Sequence, residues 1–351
     1  MKQFWSTSIF ILTVLTLINC NNSGSKEKLK YYNIPELDYL TEKIEKDPKN
    51  AALYAARSLV FSEKEMLQEA ELDAEKAFQL DSTKIDYYRL LADAYFENLH
   101  SYAAVKTIQK AIGRFPQEKA LYLNLAEMQM ILEQYKDCAY TLDMLFKISP
   151  ENPDGIFIRA MVKKLNADTT EALKDFEKVV ALDADHVGAY MELAILKNKV
   201  GDPITLSYLD NVLRIDSMHE GALLTKAQYY HFRSEYDKAL TEYENAILKI
   251  NQSSDINYNL ALMYLEMGDA EKGNKDKRSK HFESALRHFD NSTKFDPQFA
   301  DAYYYKAIAA LRLDRKDLAK RDLENAMRLN TFLQTISPEK VEQELAKINL
   351  N

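Results

Sequence analysis

Histidine and cysteine are the residues of this sequence that could bind a metal or act as a nucleophile. The chain has six histidines and two cysteines. None of the histidines lies in an H-E-x-x-H motif, and the sequence contains no C-x-x-C, G-x-S-x-G or P-loop pattern. His281 and His288 could share a helix face, but two ligands without a third nearby make a poor metal site. The sequence therefore predicts no enzyme, no catalytic residue, no metal site and no cofactor.

Cys20 stands at the end of an N-terminal segment that is typical of exported proteins. Residues 1–19 contain one basic residue, Lys2, and then an apolar run over 9–18 that is too short to span a bilayer. We therefore expect residues 1–19 to be a signal peptide. If Cys20 is modified after export, Cys138 has no other cysteine in the chain with which to form a disulfide.

The sequence Leu-Ile-Asn-Cys over 17–20 resembles the lipobox of bacterial lipoproteins. The resemblance implies cleavage before Cys20 and several acyl chains on the new N-terminus, which would anchor the protein stably to a membrane. Asn19 departs from the small residue usual at that position, and the alternative is an ordinary secretory signal with an incidental cysteine. Asn21 implies sorting to the outer membrane, and we expect the protein to face the periplasm. Residues 20–34 would form the lipidated cysteine and a flexible tether.

From residue 51 to residue 186 the sequence repeats itself every 34 residues, which indicates a stacked repeat architecture. Small residues recur at that spacing, at Ala70, Ala104, Cys138 and Ala172. Within residues 85–118, two sets of apolar residues follow a three-and-four spacing, and Pro116 ends the second set. Each repeat is therefore predicted to be a hairpin of two antiparallel helices.

The order of large, small and aromatic residues within a repeat resembles the tetratricopeptide repeat. Residues 85–118 show it at Tyr88, Leu91, Ala92, Tyr95, Ala104, Ile108, Ala111 and Pro116. The resemblance implies an all-α, right-handed α-solenoid of about eight helical hairpins over 51–333. The eight repeats would begin at residues 51, 85, 119, 153, 187, 220, 254 and 300. Residues 35–50 and 334–351 are expected to form the N-terminal and C-terminal capping helices that a finite solenoid needs.

Two features depart from the tetratricopeptide pattern, where positions are numbered from the first residue of each repeat. Position 7, usually Leu, is Arg57, Arg159 and Lys226 in repeats 1, 4 and 6, so we expect less regular packing there. Repeat 7 carries an insertion over 270–280 with five basic and two acidic residues. We expect this insertion to be a solvated loop, and the alternative is an electrostatic contact with an acidic partner, a lipid headgroup or a cell-wall polymer.

The tetratricopeptide resemblance also implies a binding surface, because positions 2, 5, 9, 12 and 13 of the first helices would line its concave side. From repeat 4 onward, positions 5 and 9 are mostly apolar, and we call these nine residues the first-helix row. The row consists of Phe157, Met161, Met191, Ile195, Leu224, Tyr258, Leu262, Tyr304 and Ile308. Such a row suits an apolar peptide or an amphipathic helix. The alternative is that these side chains pack partly on the neighbouring repeat or on the cap.

Charge and composition restrict the partner class. The net charge is −8, from 46 basic and 54 acidic residues, which argues against nucleic acid because a phosphate backbone requires a concentrated positive surface. The sequence therefore predicts a membrane-anchored scaffold that binds protein partners of the bacterial cell envelope. The alternative is a surface-exposed receptor in which some of the 22 tyrosines contact a glycan or peptide ligand.

Overall fold

The computed structural model describes residues 32–329 and 336–349. These residues form helices joined by short turns, with no β-strand among them, and the predicted all-α class is confirmed. Cys20, the signal peptide and most of the tether lie outside the described residues. Within the described ranges, every helix is either too short or too polar to cross a membrane.

The helices are α1 (Pro35–Lys46), α2 (Ala51–Glu63), α3 (Leu67–Leu80), α4 (Ile85–Glu97), α5 (Ser101–Arg114), α6 (Lys119–Ile131), α7 (Tyr135–Ile148), α8 (Pro153–Leu165), α9 (Thr169–Leu182), α10 (Val187–Lys199), α11 (Ile204–Ile215), α12 (Glu220–His231), α13 (Tyr236–Lys249), α14 (Ser254–Ala270), α15 (Lys275–Phe295), α16 (Ala300–Arg312), α17 (Lys316–Arg328) and α18 (Pro338–Asn349).

The helices from α2 to α17 pair as antiparallel hairpins, one for each sequence repeat. The chain divides into two compact bodies, an N-terminal body over 1–116 and a C-terminal body over 117–351. Within each body, the second helix of a hairpin packs against the first helix of the next, which is the solenoid arrangement. In the N-terminal body α1 packs on α2, and in the C-terminal body α18 packs on α17.

The turn inside the hairpin has the same structure in every repeat except repeat 7. Its position-15 residue has a positive φ, between 54° and 74°, at Glu65, Leu99, Glu133, Ala167, Gly201, Ser234 and Asp314. The next residue donates its N–H to the carbonyl five residues earlier, as Asp168 does to Lys163 at 2.9 Å. This is the Schellman arrangement that ends a helix. A positive φ favours glycine, but only one of these residues is glycine. The position in the repeat therefore predicts this turn better than the residue type does.

Small residues at positions 8 and 20 bring the two helices of a hairpin into contact. In repeat 3 the Cys138 thiol lies at position 20, and its Sγ is 3.3 Å from the carbonyl oxygen of Ala126 at position 8. In repeat 1 the Ser58 hydroxyl donates to the Ala70 carbonyl at 2.7 Å. Burial raises the pKa of the Cys138 thiol to about 11, so this cysteine stays protonated in the core.

The expectation of less regular packing at position 7 is wrong for repeats 1 and 4. In both repeats an acidic residue at position 23 pairs with the basic residue at position 7. Arg57 donates through Nε and Nη2 to Asp73 at 2.6 and 2.9 Å, and both side chains are buried. Arg159 donates twice to Asp175, both times at 2.8 Å. Burial alone would raise the pKa of Asp175, but the hydrogen bonds from Arg159 and Lys163 outweigh burial and lower it.

The same pairing recurs in repeats 6 and 8 with lysine at position 7. Lys226 lies 3.6 Å from Glu242, and Lys306 lies 3.7 Å from Asp322. The hairpin α12–α13, which contains Lys226, keeps the usual turn and helix lengths, so the expectation of less regular packing is wrong there too. Lys306 is buried and Lys226 is half-buried. Each Nζ lies closer still to a carboxylate of the preceding repeat, Asp290 at 2.7 Å from Lys306 and Asp210 at 3.0 Å from Lys226, so carboxylates compensate its charge on two sides.

The insertion over 270–280 is solvent-exposed over most of its length, as expected, but only residues 271–274 lie outside a helix, so the expectation of a loop is wrong for the rest. It lengthens α14 to 17 residues and α15 to 21, against 12 to 14 in the other hairpin helices. Position 15 of this repeat is Gly268, which lies inside α14, where an added Cβ would be 2.4 Å from the Phe282 ring. This close approach lets the two long helices continue side by side beyond the usual turn.

Removing one member of the Arg57–Asp73 pair should destabilise the protein far more than replacing both. Arg57→Leu leaves the Asp73 carboxylate buried without its guanidinium, and we expect the free energy of unfolding to fall by about 3–5 kcal/mol. The double variant Arg57→Leu, Asp73→Thr copies Leu91 and Thr107, which occupy positions 7 and 23 of repeat 2. We expect this double variant to recover most of the loss in chemical denaturation. A double variant no more stable than the single one would contradict this assignment.

Candidate partner-binding surface

The first-helix row lies on α8, α10, α12, α14 and α16, all within the C-terminal body. None of its nine side chains is fully exposed. Tyr258 and Tyr304 are buried, with 9% and 3% of their surface exposed, and the other seven are half-buried. The row is therefore partly filled by the protein's own packing.

Packing between neighbouring repeats explains the half-buried members. The Phe157 ring centroid lies 4.7 Å from that of His186 and 5.6 Å from that of Phe176. A Cβ added to Gly188, at position 2 of the next repeat, would be 3.2 Å from the Phe157 ring. Met191 repeats the arrangement, because a Cβ added to Gly221 would be 3.6 Å from its Cε. Position 5 of one repeat thus packs over a glycine of the next, as the alternative interpretation expected.

Tyr258 and Tyr304 pack against side chains near the C-terminal end of the chain. The Tyr258 ring lies 4.6 Å from the Phe299 ring and 5.9 Å from the Phe289 ring. Lys340 of α18 lies over the Tyr304 ring, with Nζ 5.5 Å from the centroid. Burial raises the pKa of the Tyr304 hydroxyl to about 12. Contact between a partner and the seven half-buried members stays a prediction.

A second set of apolar side chains, at the C-terminal ends of four consecutive first helices, is more exposed than the row. Helices α6 and α8 end at Ile131 and Leu165, and Val200 and Phe232 directly follow α10 and α12. In this order their exposed fractions are 55%, 53%, 78% and 70%. We call these four residues the helix-end stripe.

Polar contacts hold neighbouring first helices together near the stripe. Lys164 Nζ of α8 lies 2.5 Å from Glu192 Oε2 of α10. Arg233, next to Phe232, lies 3.4 Å from Asn198 Oδ1 at the end of α10. The stripe residues therefore follow one another along one edge of the C-terminal body. The first-helix row contains only positions 5 and 9. Ile131, Leu165 and Phe232 lie at position 13, which the tetratricopeptide resemblance also implied, whereas Val200 lies at position 14 and had no signal in the pattern.

One carboxylate on α6 gives this surface a negative charge. The Glu127 side chain is exposed, yet partial desolvation of its carboxyl group and, secondarily, the nearby Asp154 carboxylate raise its pKa. Within the described ranges, no basic side chain pairs with Glu127. A partner that places a cation there would therefore meet an uncompensated charge.

The histidines are structural in the described part of the chain. His281 and His288 both lie on α15 against the Tyr264 ring, with ring centroids 6.2 and 5.8 Å from it. Burial lowers the pKa of His288 to about 4, and its Nδ1 lies 3.0 Å from Asn257 Oδ1. Among the described residues, no group of three His, Cys, Asp or Glu side chains could hold a metal ion.

Comparison with known proteins supports the tetratricopeptide resemblance. Residues 274–328, which span the end of repeat 7 and most of repeat 8, match the tetratricopeptide repeat family model. Human tetratricopeptide repeat protein 16 is 24% identical over 231 residues, which are 65% of this chain and 23% of that protein. The chain thus spans about a quarter of the length of this curated relative.

Two solved structures are similar to this chain in fold. A tetratricopeptide repeat protein from Parabacteroides merdae is 16% identical, and the alignment covers 90% of this chain and 100% of that one, with a TM-score of 0.47. YrrB, described as having an unusual peptide-binding site, is 22% identical over 53% of this chain and 97% of its own, with a TM-score of 0.36.

The difference in burial between the row and the stripe predicts losses of stability of very different size. Tyr258→Ala removes a buried ring, and we expect it to lower the free energy of unfolding by about 3–5 kcal/mol. Phe232→Ala removes an exposed ring from the stripe, and we expect a change within about 0.5 kcal/mol. Chemical denaturation followed by circular dichroism compares the two. Equal losses would show that Phe232 belongs to the core.

Proposed function

We propose that this chain is a membrane-anchored scaffold that binds protein partners in the bacterial cell envelope. Its solenoid of tetratricopeptide-type hairpins is an interaction fold, and the helix-end stripe is the observation that carries the proposal. Four apolar side chains, exposed at or directly after the ends of the first helices of consecutive repeats, form an edge that water solvates poorly. Covering that edge with a partner would remove this apolar surface from water.

The partner that fits this surface is an amphipathic helix or an apolar peptide. Met161 of the first-helix row and Leu165 of the stripe are four residues apart on α8, so they share one helix face. On α8, the stripe and the half-buried row therefore form one apolar surface. Methionine and aromatic side chains adapt to apolar partners of different shapes.

The lipid anchor at Cys20 would hold this surface at the outer membrane, on the periplasmic side. An anchored scaffold meets membrane-bound partners at a raised effective concentration, so modest contacts suffice for binding.

The tyrosines give less support to a glycan receptor. The strongly exposed ones in the described part of the chain are Tyr39, Tyr102 and Tyr140, which lie on α1, α5 and α7. Because each lies on a different helix, they do not form a shared aromatic platform within one hairpin. This distribution favours the scaffold.

The scaffold proposal predicts that charge on the stripe abolishes partner binding. A photo-reactive amino acid at exposed Asn166 would capture the partner in cells that make the full chain. We expect the purified partner to bind the Leu165→Glu, Phe232→Glu variant about tenfold or more weakly in a titration, because charge is placed in an apolar interface. Met161→Glu, Ile195→Glu tests the first-helix row in the same assay.

The matched control is Tyr140→Glu, Leu248→Glu, which makes the same chemical change at exposed apolar residues of the second helices. We expect this control to bind like the unmodified protein. Circular dichroism verifies the fold of each variant. If the partner binds all variants equally, the apolar surface of the first helices is not its site.

The anchor is tested separately through the two cysteines. We expect the full chain to incorporate a labelled fatty acid and to sediment with membranes, and Cys20→Ser to lose the label because no thioether can form. The control is Cys138→Ala, which copies Ala104 at the same repeat position and should stay labelled. An unlabelled native chain would rule out lipidation, whatever the outcome of the partner assay.

A further inference from the structure

The long hairpin α14–α15 extends beyond the level of its neighbour. Arg312, the last residue of α16, donates to Asp269 at 2.6 Å, and Arg315, directly before α17, pairs with Glu283. The turn between α16 and α17 therefore lies at the level of Asp269 and Glu283. Residues 270–281 continue past that level, and we call them the basic tip. With a rise of 1.5 Å per residue, the first seven residues of α15 project by about 10 Å.

The basic tip carries positive charge that the protein leaves mostly unpaired. Its basic residues are Lys272, Lys275, Lys277, Arg278 and Lys280, all of them exposed. Lys277 lies 3.5 Å from Glu271, whose Oε1 also accepts hydrogen bonds from the Gly273 and Asn274 amides at 3.0 and 3.1 Å. Within the described ranges, the other four cations have no carboxylate at ion-pair distance.

The arrangement of these charges suits a flat surface better than a protein partner. Successive residues of α15 are rotated by a fraction of a turn, so Lys275, Lys277 and Arg278 point to different sides of the helix. The uncharged residues of the tip that could contribute contacts are small or polar, such as Ala270, Asn274 and Ser279. Protein interfaces normally need an apolar or aromatic centre, which the tip lacks. An extended anionic surface requires only clustered cations.

The projection of the tip makes its contact with an anionic membrane compatible with the negative net charge of the whole chain. With a net charge of −8, the whole chain would be repelled by an anionic membrane at close range. Electrostatic forces are screened over about 8 Å at physiological ionic strength, and the tip projects about 10 Å. End-on contact through the tip therefore keeps the acidic residues outside the tip about one screening length away, and within the tip five basic residues outnumber Glu271 and Asp276. A flexible polyanion would instead fold back onto the acidic surface and be repelled.

We infer that the basic tip binds the anionic phospholipid headgroups of a membrane surface end-on. This contact is independent of the lipid at Cys20 and of the apolar partner surface. It would fix which edge of the C-terminal body faces the bilayer, which an acyl chain on a flexible tether does not do.

Vesicle binding tests this inference with the full chain carrying Cys20→Ser, so that no acyl group is attached. We expect more protein to sediment with phosphatidylglycerol–phosphatidylcholine vesicles than with phosphatidylcholine alone. Raising the salt from about 0.1 to about 1 M shortens the screening length from about 10 to about 3 Å and should abolish the difference. Binding through the apolar run over 9–18 would be similar on both vesicle types.

Two charge-reversal variants with the same net charge locate the contact. The tip variant replaces Lys272, Lys275, Arg278 and Lys280 with Glu, and should lose the preference for anionic vesicles by about tenfold or more. The control variant replaces exposed lysines elsewhere in the C-terminal body with Glu, at Lys119, Lys136, Lys199 and Lys320. We expect the control to keep most of the preference.

Three results would overturn the inference. The native chain could show no preference for anionic vesicles, or the control variant could lose as much binding as the tip variant. Salt-sensitive binding to soluble polyglutamate without binding to anionic vesicles would instead identify an acidic protein as the ligand of the tip. Circular dichroism establishes that both variants remain folded, which the exposure of the substituted side chains leads us to expect.

Discussion

The contact between small side chains at positions 8 and 20 is the constraint on which the hairpins depend. Two helices bury their apolar faces fully only when their backbones come close, and a large side chain at either position would keep them apart. Ala126 and Cys138 show the contact in repeat 3, and Ser58 and Ala70 show it in repeat 1. Once the helices meet in this way, the Schellman turn and the packing of each hairpin on the next follow within each body.

The charged pairs between positions 7 and 23 were not predicted from the sequence. Arg57 and Asp73 were both visible in the sequence, but they are 16 residues apart on two helices that run in opposite directions. A basic residue at position 7 departs from the leucine of the tetratricopeptide pattern. The acidic residue at position 23 of the same repeat compensates for its charge. Repeats 1, 4, 6 and 8 use a charged pair, and repeat 2 uses Leu91 with Thr107.

The two proposed surfaces share one edge of the C-terminal body. The helix-end stripe lies where the first helices end, and the basic tip lengthens the same kind of turn in repeat 7. A hairpin turn contributes little to the packing between repeats, so substitutions and insertions in it do not destabilise the core. If the tip contacts a bilayer, the stripe faces the region next to the membrane, where partners held in or near the bilayer are concentrated.

The repeat, the all-helical class and the hairpin in each repeat follow from the amino-acid sequence alone, because a 34-residue period and three-and-four apolar spacing are local properties. The sequence also indicated the first-helix row, since the tetratricopeptide resemblance assigns positions to faces. Which members of the row are open to solvent depends on the packing between helices. The Phe299 ring of the same repeat covers Tyr258, and Phe157 packs against His186 of the same repeat and Gly188 of the next. Such packing depends on distances between helices and is not encoded in periodicity. The same reason applies to the insertion, where the contact of Gly268 with Phe282 turned an expected loop into two longer helices.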